Sequence, residues 1–286
     1  MIVRIMGGLG NQMFQYAQAR ALMEMGISDI QFDVDCISQK TPREYQLRDM
    51  DTIDFPIVDK EKVSRFIKFR NLCYSHSSFR TFSKILKYGF ENQEYVIQQN
   101  KNYSYIDGYW QNLGYFQDLK NELINELKYK WTMTEKQTYI LALMEQCNSV
   151  AVHVRRGDYL TLDNSNYFNI LRKDEYYDIA MRMMRQNFDD VKFFFFSDDI
   201  RWCKENFKEY KNTIFVDSEI SSTGLEDFEL MKKCKHFIIS NSTFSWWASW
   251  LSDNDGKCAI APRKWFVDEK KNDRCVKGLL DDYTLI

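Results

Sequence analysis

Four consecutive phenylalanines, Phe193 to Phe196, run between Val191-Lys192 and Ser197-Asp198-Asp199. A strand with one wet face alternates apolar and polar residues. An unbroken apolar run therefore belongs to a sheet covered on both faces, which is the condition of a parallel sheet flanked by helices. Related runs occur at Val150 to Val154, Thr213 to Val216, Phe237 to Ile239 and Cys258 to Ile260, and helical periodicity fills the intervals near 174–187, 199–207, 224–234 and 244–252. Strands alternating with helices of about ten residues specify a parallel, doubly wound sheet. Ligands of such sheets sit outside the carboxyl ends of the strands. The residues that follow each strand are the candidates for chemistry.

The N-terminus repeats the pattern. The apolar run Ile2 to Met6 leads into Gly7, Gly8 and Gly10, then into a helix in which Met13, Tyr16, Ala17, Ala21 and Met25 recur at three- and four-residue steps. Ile30 to Asp33 reads as a strand returning beside the first. At about 150 residues per domain, a chain of 286 residues holds two domains. Topology sets them at 1–147 and 148–286. Acids (41) and bases (39) nearly cancel, so no charge excess draws the chain to nucleic acid. Seven dispersed cysteines lack C-x-x-C spacing and fit reduced thiols in a cytoplasmic setting. The first apolar run is too short for a signal or membrane segment. The stretch 60–102, with nine Lys or Arg against three Glu and interleaved aromatics, reads as solvated helices or as a basic face for weak peripheral membrane contact or for a pyrophosphate-linked acceptor.

Polar residues gather at the strand ends of the second half. His153-Val154-Arg155-Arg156-Gly157-Asp158-Tyr159 combines two arginines, a flexible glycine and a carboxylate. One guanidinium can fork onto phosphate oxygens while the other braces Asp158. Asp198 ends the next strand, Glu226 and Asp227 lie on a later crossover, and Ser240-Asn241-Ser242-Thr243 precedes a helix whose free N–H groups suit an anion. Together they describe a nucleoside-diphosphate pocket. Alternatives are weaker. The N-terminal glycines lack the Lys-Ser/Thr ending of a Walker loop. They resemble a dinucleotide fingerprint with Asp33 and Asp35 near the ribose, but Met13 replaces the third glycine, so a nicotinamide-dependent oxidoreductase is the runner-up. Asp33-Val34-Asp35 could instead hold a divalent ion in a metal-dependent transferase. The three histidines, His76, His153 and His236, have no metal-ligand spacing.

GGLGNQMFQYA at the N-terminus, GYWQN from 108, HVRRGDY from 153, FFFFSDD from 193 and EDFELMKKCKHFIISNSTFSWWASWL from 226 together resemble the family 11 glycosyltransferases, the α-1,2-fucosyltransferases, in order and across nearly the whole chain. The resemblance implies a GT-B-like α/β fold, with two Rossmann-type domains whose parallel doubly wound sheets face a cleft, the N-terminal one on the acceptor side. It implies GDP-L-fucose as donor, inversion at the anomeric carbon and no cofactor or required metal. It places Arg155 on the donor β-phosphate, with His153 and Arg156 supporting the pocket. Asp227, with Glu226 adjacent and the register open by one, falls on the guanine edge, and Ser242 and Thr243 contact phosphate. Gly10, Asp198 and Asn241 join the donor set. Asn11 faces the reaction centre, while Gln12, Tyr109 and Trp110 form the acceptor side. Asp158 and His153 are both candidates for the base, as is the departing phosphate. The implied acceptor is a terminal β-galactose on a soluble or lipid-linked bacterial glycan.

Overall fold

Each apolar run closes into a parallel sheet, and the chain divides into two units, Met1–Leu127 and Lys128–Ile286. The computed structural model describes residues 1–35, 44–73, 87–90, 103–161, 166–276 and 278–286. Most of the basic stretch 60–102 lies outside them.

In the first unit, β1 (Ile2–Arg4) turns through Gly7 and Gly8 into α1 (Leu9–Glu24), which returns to β2 (Gln31–Asp33). Then follow α2 (Lys60–Cys73), β3 (Tyr88–Phe90), β4 (Tyr105–Asp107) and α3 (Lys120–Glu126). The sheet order is β2-β1-β4-β3 with every pairing parallel, Val3 opposite both Phe32 and Ile106. Gly7 has φ of +81°, and a Cβ there would meet the Asn11 amide nitrogen at 2.6 Å. Both facts require glycine at that corner. The helix starts at Leu9, so Gly10 is buried in its first turn rather than in the loop. α1 is buried on almost all sides, and its polar residues serve inward hydrogen bonds: Met6 N–H donates to Gln15 Oε1 at 2.8 Å, and Gln15 Nε2 donates to the Gly108 carbonyl at 3.1 Å. At the ends of adjacent β1 and β4, Arg4 Nη1 donates to both oxygens of Asp107 at 2.8 Å, and the Tyr88 hydroxyl donates to Asp107 Oδ2 at 2.6 Å, all out of water.

The second unit runs α4 (Glu135–Glu145), β5 (Asn148–Val154), α5 (Asp178–Asn187), β6 (Val191–Ser197), α6 (Ile200–Phe207), β7 (Thr213–Phe215), α7 (Gly224–Lys232), β8 (His236–Ile238), α8 (Thr243–Trp250), β9 (Ala259–Ala261), α9 (Glu269–Val276) and β10 (Thr284–Leu285). Its sheet order is β10-β9-β8-β5-β6-β7, again wholly parallel. The phenylalanine run occupies β6 between β5 and β7, with Phe193, Phe194 and Phe195 at 0% exposure, as a strand covered on both faces demands. The chain winds from β5 outward to β7, then crosses back to place β8 on the other side of β5. That reversal is a topological switch point. Residues 128–147, assigned by the sequence reading to the N-terminal domain, belong with this unit. The Thr134–Gln137 capping box starts α4, Gln137 Nε2 donates to Glu226 at 2.8 Å, and Tyr129 N–H donates to Glu229 at 2.9 Å. The Cys147, Cys203, Cys234 and Cys258 thiols are free.

Phe195 stacks among Phe207 and Phe215, with ring centroids at 4.7 and 5.2 Å. Phe195→Ala should cost about 3–5 kcal/mol. Tyr139→Ala, at a side chain 67% exposed, should stay within about 0.5 kcal/mol. Urea unfolding midpoints of the two variants measure the contrast.

Candidate active site

The switch point of the second sheet carries the site. β5 ends in His153-Val154 and the turn Arg155-Arg156-Gly157, β6 ends in Ser197-Asp198, and β8 continues into Ser240-Asn241-Ser242. Because β5 pairs with both β6 and β8, the three ends are neighbours. His153 Nδ1 lies 2.7 Å from the Ser240 hydroxyl, and the Tyr159 hydroxyl donates to the Asn241 carbonyl at 3.0 Å. These two bonds tie the β5 turn to the β8 turn.

Asp198 organises the arginine turn. Its Oδ1 accepts from the Arg156 N–H at 2.9 Å, and its Oδ2 pairs with Arg155 Nη1 at 3.1 Å. The carboxylate lies so close to the backbone that a Cβ on Gly157 would meet Oδ2 at 2.5 Å. Residue 157 must therefore be glycine for Asp198 to sit there. Arg155 Nη2 meanwhile donates to Asp158 Oδ1 at 2.6 Å, and the guanidinium lies 5.6 Å above the Tyr159 ring. Two carboxylates thus hold one guanidinium in a fixed plane at the mouth of the sheet, which leaves its remaining N–H groups preset for an oxyanion.

The sequence reading assigned the brace on Asp158 to Arg156; Arg155 makes that bond instead. Arg156 turns the other way, with its guanidinium 3.9 Å over the Trp202 ring and Nε 3.4 Å from Asp199. An i,i+3 spacing lets Arg155 reach Asp158 once the chain enters the short turn at Asp158–Leu160. Trp202 and Tyr159 were not among the expected site residues. Their roles depend on partners far away in the chain, which spacing does not reveal.

His153 is 5% exposed, and burial together with the Arg155 charge pushes its pKa down to about 3. It is neutral at working pH and a feeble proton acceptor. Burial and this downward shift weigh against it as the base, and its Nδ1 pins Ser240. Asn241 also changes role, because its Nδ2 donates to the Asn169 and Trp265 carbonyls at 2.8 and 2.9 Å rather than outward. Ser242 is the N-cap of α8 yet makes no side-chain capping bond. Its hydroxyl is not consumed by the helix, so side-chain capping does not account for it.

Hydrogen bonding distinguishes the two acids at 226 and 227. Glu226 accepts from Gln137 Nε2 at 2.8 Å and from the Ser222 N–H and hydroxyl, both at 2.9 Å, so its carboxylate is spent on structure. Asp227, one residue on in the first turn of α7, is pushed up to about 6 by burial and by the Glu226 charge, against the lowering effect of a Ser221 hydrogen bond. Of the two, Asp227 is the carboxylate suited to a base edge.

Other expected residues lie in the first unit. Asn11 Oδ1 accepts from Gln111 Nε2 at 3.0 Å. Gln12 is fully buried. Its Nε2 donates to the Gly7 and Glu44 carbonyls at 3.0 and 2.9 Å, and its Oε1 accepts from Gln46 N–H at 3.0 Å. With every polar atom engaged, it contacts no sugar directly. Trp110 is 0% exposed and packs edge-on against Tyr115, whereas Tyr109 is 44% exposed. The acceptor role expected of Trp110 does not fit a ring in the core.

Among the described residues no group of three or more His, Cys, Asp or Glu is placed to hold a metal ion. Asp33 Oδ2 accepts from the Tyr105 hydroxyl at 2.5 Å and Oδ1 from the Asp35 N–H at 3.1 Å, while Asp35 pairs with Lys60 at 2.8 Å. Both acids are thus engaged within the first unit. Met13, at 0% exposure, fills the core where a dinucleotide fingerprint needs glycine. Among the described residues no helix is long and apolar enough to cross a membrane.

Comparison with known proteins places the chain among glycosyltransferases. An α-1,2-colitosyltransferase of Escherichia coli is 32% identical over 280 residues, covering 95% of this chain and 94% of the relative. Galactoside α-(1,2)-fucosyltransferase 1 of Mus musculus is 24% identical over 87% of this chain and 62% of its own length. In fold, the NodZ α-1,6-fucosyltransferase soaked with GDP-fucose superposes with a TM-score of 0.51 at 16% identity, covering 87% of this chain and 91% of that one, which agrees with the GT-B-like α/β class. The profile of Glycosyl transferase family 11 matches residues 1–278, and the chain belongs to that family.

Proposed function

We propose that the protein transfers L-fucose from GDP-β-L-fucose to the 2-hydroxyl of a terminal β-galactose, inverting the anomeric centre without a metal ion. The observation that supports this most directly is Arg155, held between Asp158 and Asp198 at the end of β5. Attack by the acceptor oxygen on the anomeric carbon breaks its bond to the β-phosphate, so negative charge grows on a diphosphate oxygen. A guanidinium already fixed by two carboxylates meets that charge without reorganising, and its charge-assisted bonds strengthen as the charge develops. Ser242 and the N-terminus of α8 receive the rest of the diphosphate, and Asp227 receives the donors of the guanine edge. With His153 neutral and bonded to Ser240, the proton of the attacking hydroxyl goes to Asp158 or to the departing phosphate.

A second reading concerns the sugar. The E. coli relative at 32% identity is a colitosyltransferase, and colitose lacks the 3-hydroxyl of fucose. A site that hydrogen-bonds that hydroxyl discriminates strongly against the sugar lacking it, whereas a site that does not accepts both. Parallel assays with the two GDP-sugars, followed by linkage analysis of the product, test the proposal. Transfer from GDP-fucose to O2 of galactose is expected. Transfer from the colitose donor alone replaces the donor, and no transfer from either overturns the reading.

Arg155→Lys keeps the charge but loses the planar fork, so kcat should fall about 10²–10³-fold with KM little changed. Gly157→Ala should reproduce part of that loss in a folded protein, because the new Cβ displaces Asp198 from Arg155. Steady-state kinetics and melting curves read both; a folded Arg155→Ala enzyme with ordinary kcat would place the phosphate elsewhere.

Asp227 gives a pH signature. Guanine donors need the ionised carboxylate, so GDP affinity should rise as pH climbs through about 6 and lose that dependence in Asp227→Asn. The stability sign is opposite. An acid raised from 3.8 to about 6 in the folded state holds its proton longer there than in the unfolded chain. Its contribution to stability therefore falls as pH rises through that window. Calorimetric titration with GDP and melting temperatures between pH 4 and 8 check the two slopes.

Activity should also survive EDTA and Asp35→Asn. Loss in chelator restored by manganese would favour a metal-dependent route.

A further inference from the structure

Beside the N-terminal motif of the first unit lies a cavity of about 720 Å³, lined by Tyr45, Arg48, Thr52, Asp54, Phe55 and Ile57 among others, and reaching Val34 just past the end of β2. We infer that this cavity is a glycan subsite that holds the acceptor sugars beyond the one that receives fucose, and that Gln12 and Tyr16 are the positioning residues that hold its wall in shape. The inference rests on the acceptor being a glycan, as proposed above.

Three observations carry it. First, the wall is built rather than draped. Gln12 bonds the Glu44 carbonyl and the Gln46 N–H, and the Tyr16 hydroxyl accepts from the Ile53 N–H at 2.9 Å while donating to Glu126 at 2.6 Å. Phe32 N–H donates to the Pro56 carbonyl at 2.8 Å, and Val58 N–H donates to the Phe32 carbonyl at 3.0 Å, which fastens the far end to β2. α1 thus grips segment 44–53, and β2 grips 56–58. Preformed pockets of roughly 300–1,000 Å³ with a few fixed polar groups are what small ligands use.

Second, the lining matches a saccharide. Sugars present apolar C–H faces and rings of hydroxyls. The cavity sets Phe55, the Tyr45 ring and the exposed Ile57 beside Arg48, Asp54 and Thr52. Arg48 pairs only loosely, at 3.9 Å with Glu44 and 3.7 Å with Asp49, so its fork can turn to vicinal hydroxyls. Burial and the Asp54 charge push the Tyr45 hydroxyl up to about 12, leaving it a neutral donor beside a carboxylate acceptor.

Third, the position follows the ligand rule of open α/β sheets. The donor groups occupy strand ends of the second sheet, and this cavity lies past the end of β2 in the first. Gln12 and Tyr16 belong to the motif GNQMFQYA, and the bonds described for both lie inside the first unit. Their bonds instead explain why a sugar-transfer motif contains two residues turned into the protein.

The full chain, assayed with GDP-fucose, is compared on methyl β-D-galactoside and on lacto-N-tetraose and lacto-N-neotetraose. The wild type should show a lower KM for at least one tetrasaccharide than for the monosaccharide. Arg48→Ala and Asp54→Ala should each raise that KM about tenfold, the loss of one good polar contact. KM for GDP-fucose and turnover of the monosaccharide should stay within about twofold. Tyr16→Phe, which loses its hydroxyl bridge, should act in the same direction on the tetrasaccharide alone. Saturation-transfer NMR with the tetrasaccharides reads the subsite without turnover: a signal present in wild type and lost in Arg48→Ala supports it even if fucosyl transfer itself fails. The inference is overturned if wild type treats short and long acceptors alike, or if folded variants keep the tetrasaccharide KM and NMR signal unchanged.

Discussion

A sheet made only of parallel strands has no face to spare for water, and that constraint governs both halves of this protein. β6 is phenylalanine from Phe193 to Phe196 because helices cover both of its sides. Polar side chains are then expelled to the only places where the sheet meets solvent, the strand ends. The crossover that carries the chain from β7 back to β8 leaves three such ends side by side. Arginine, aspartate and serine from remote parts of the sequence meet there by topology, before any side chain has been chosen.

Within that meeting place the charges are arranged to restrain one another. Arg155 lies between Asp158 and Asp198, and Arg156 between Asp199 and the Trp202 face. Such half-exposed pairs add little stability. Their value is geometric, because a guanidinium on a long flexible stem is held in one plane before an anion arrives. Gly157 is part of the same arrangement, since its missing side chain is the space that Asp198 occupies.

The sequence pattern revealed the strands that are apolar throughout and the helices between them, because burial on both faces leaves a periodicity that a single sequence displays. It did not reveal β4 or β10. Tyr105-Ile106-Asp107 has polar ends that look like a loop until Arg4 and Asp33 neutralise them from other strands. The same blindness marks the site. Arg155 and Asp158 sit three residues apart and could be paired on paper. The choice between Glu226 and Asp227 depended on Gln137, and the role of Gln12 depended on Glu44 and Gln46. Motifs locate polar atoms, but only the fold shows which of them are already engaged.

The Arg4–Asp107 pair has a consequence for how this chain can vary. The two charges are 7% and 1% exposed and share two hydrogen bonds at 2.8 Å. Removing either partner leaves the other charge buried without its counter-charge, at about 3–5 kcal/mol, whereas exchanging both for well-packed apolar residues is often neutral or better. Neither position can drift alone. Lineages that depart from this pair must cross a valley of poorly folded intermediates or change both codons together, so the two ends of β1 and β4 behave in inheritance as a single site separated by a hundred residues of chain.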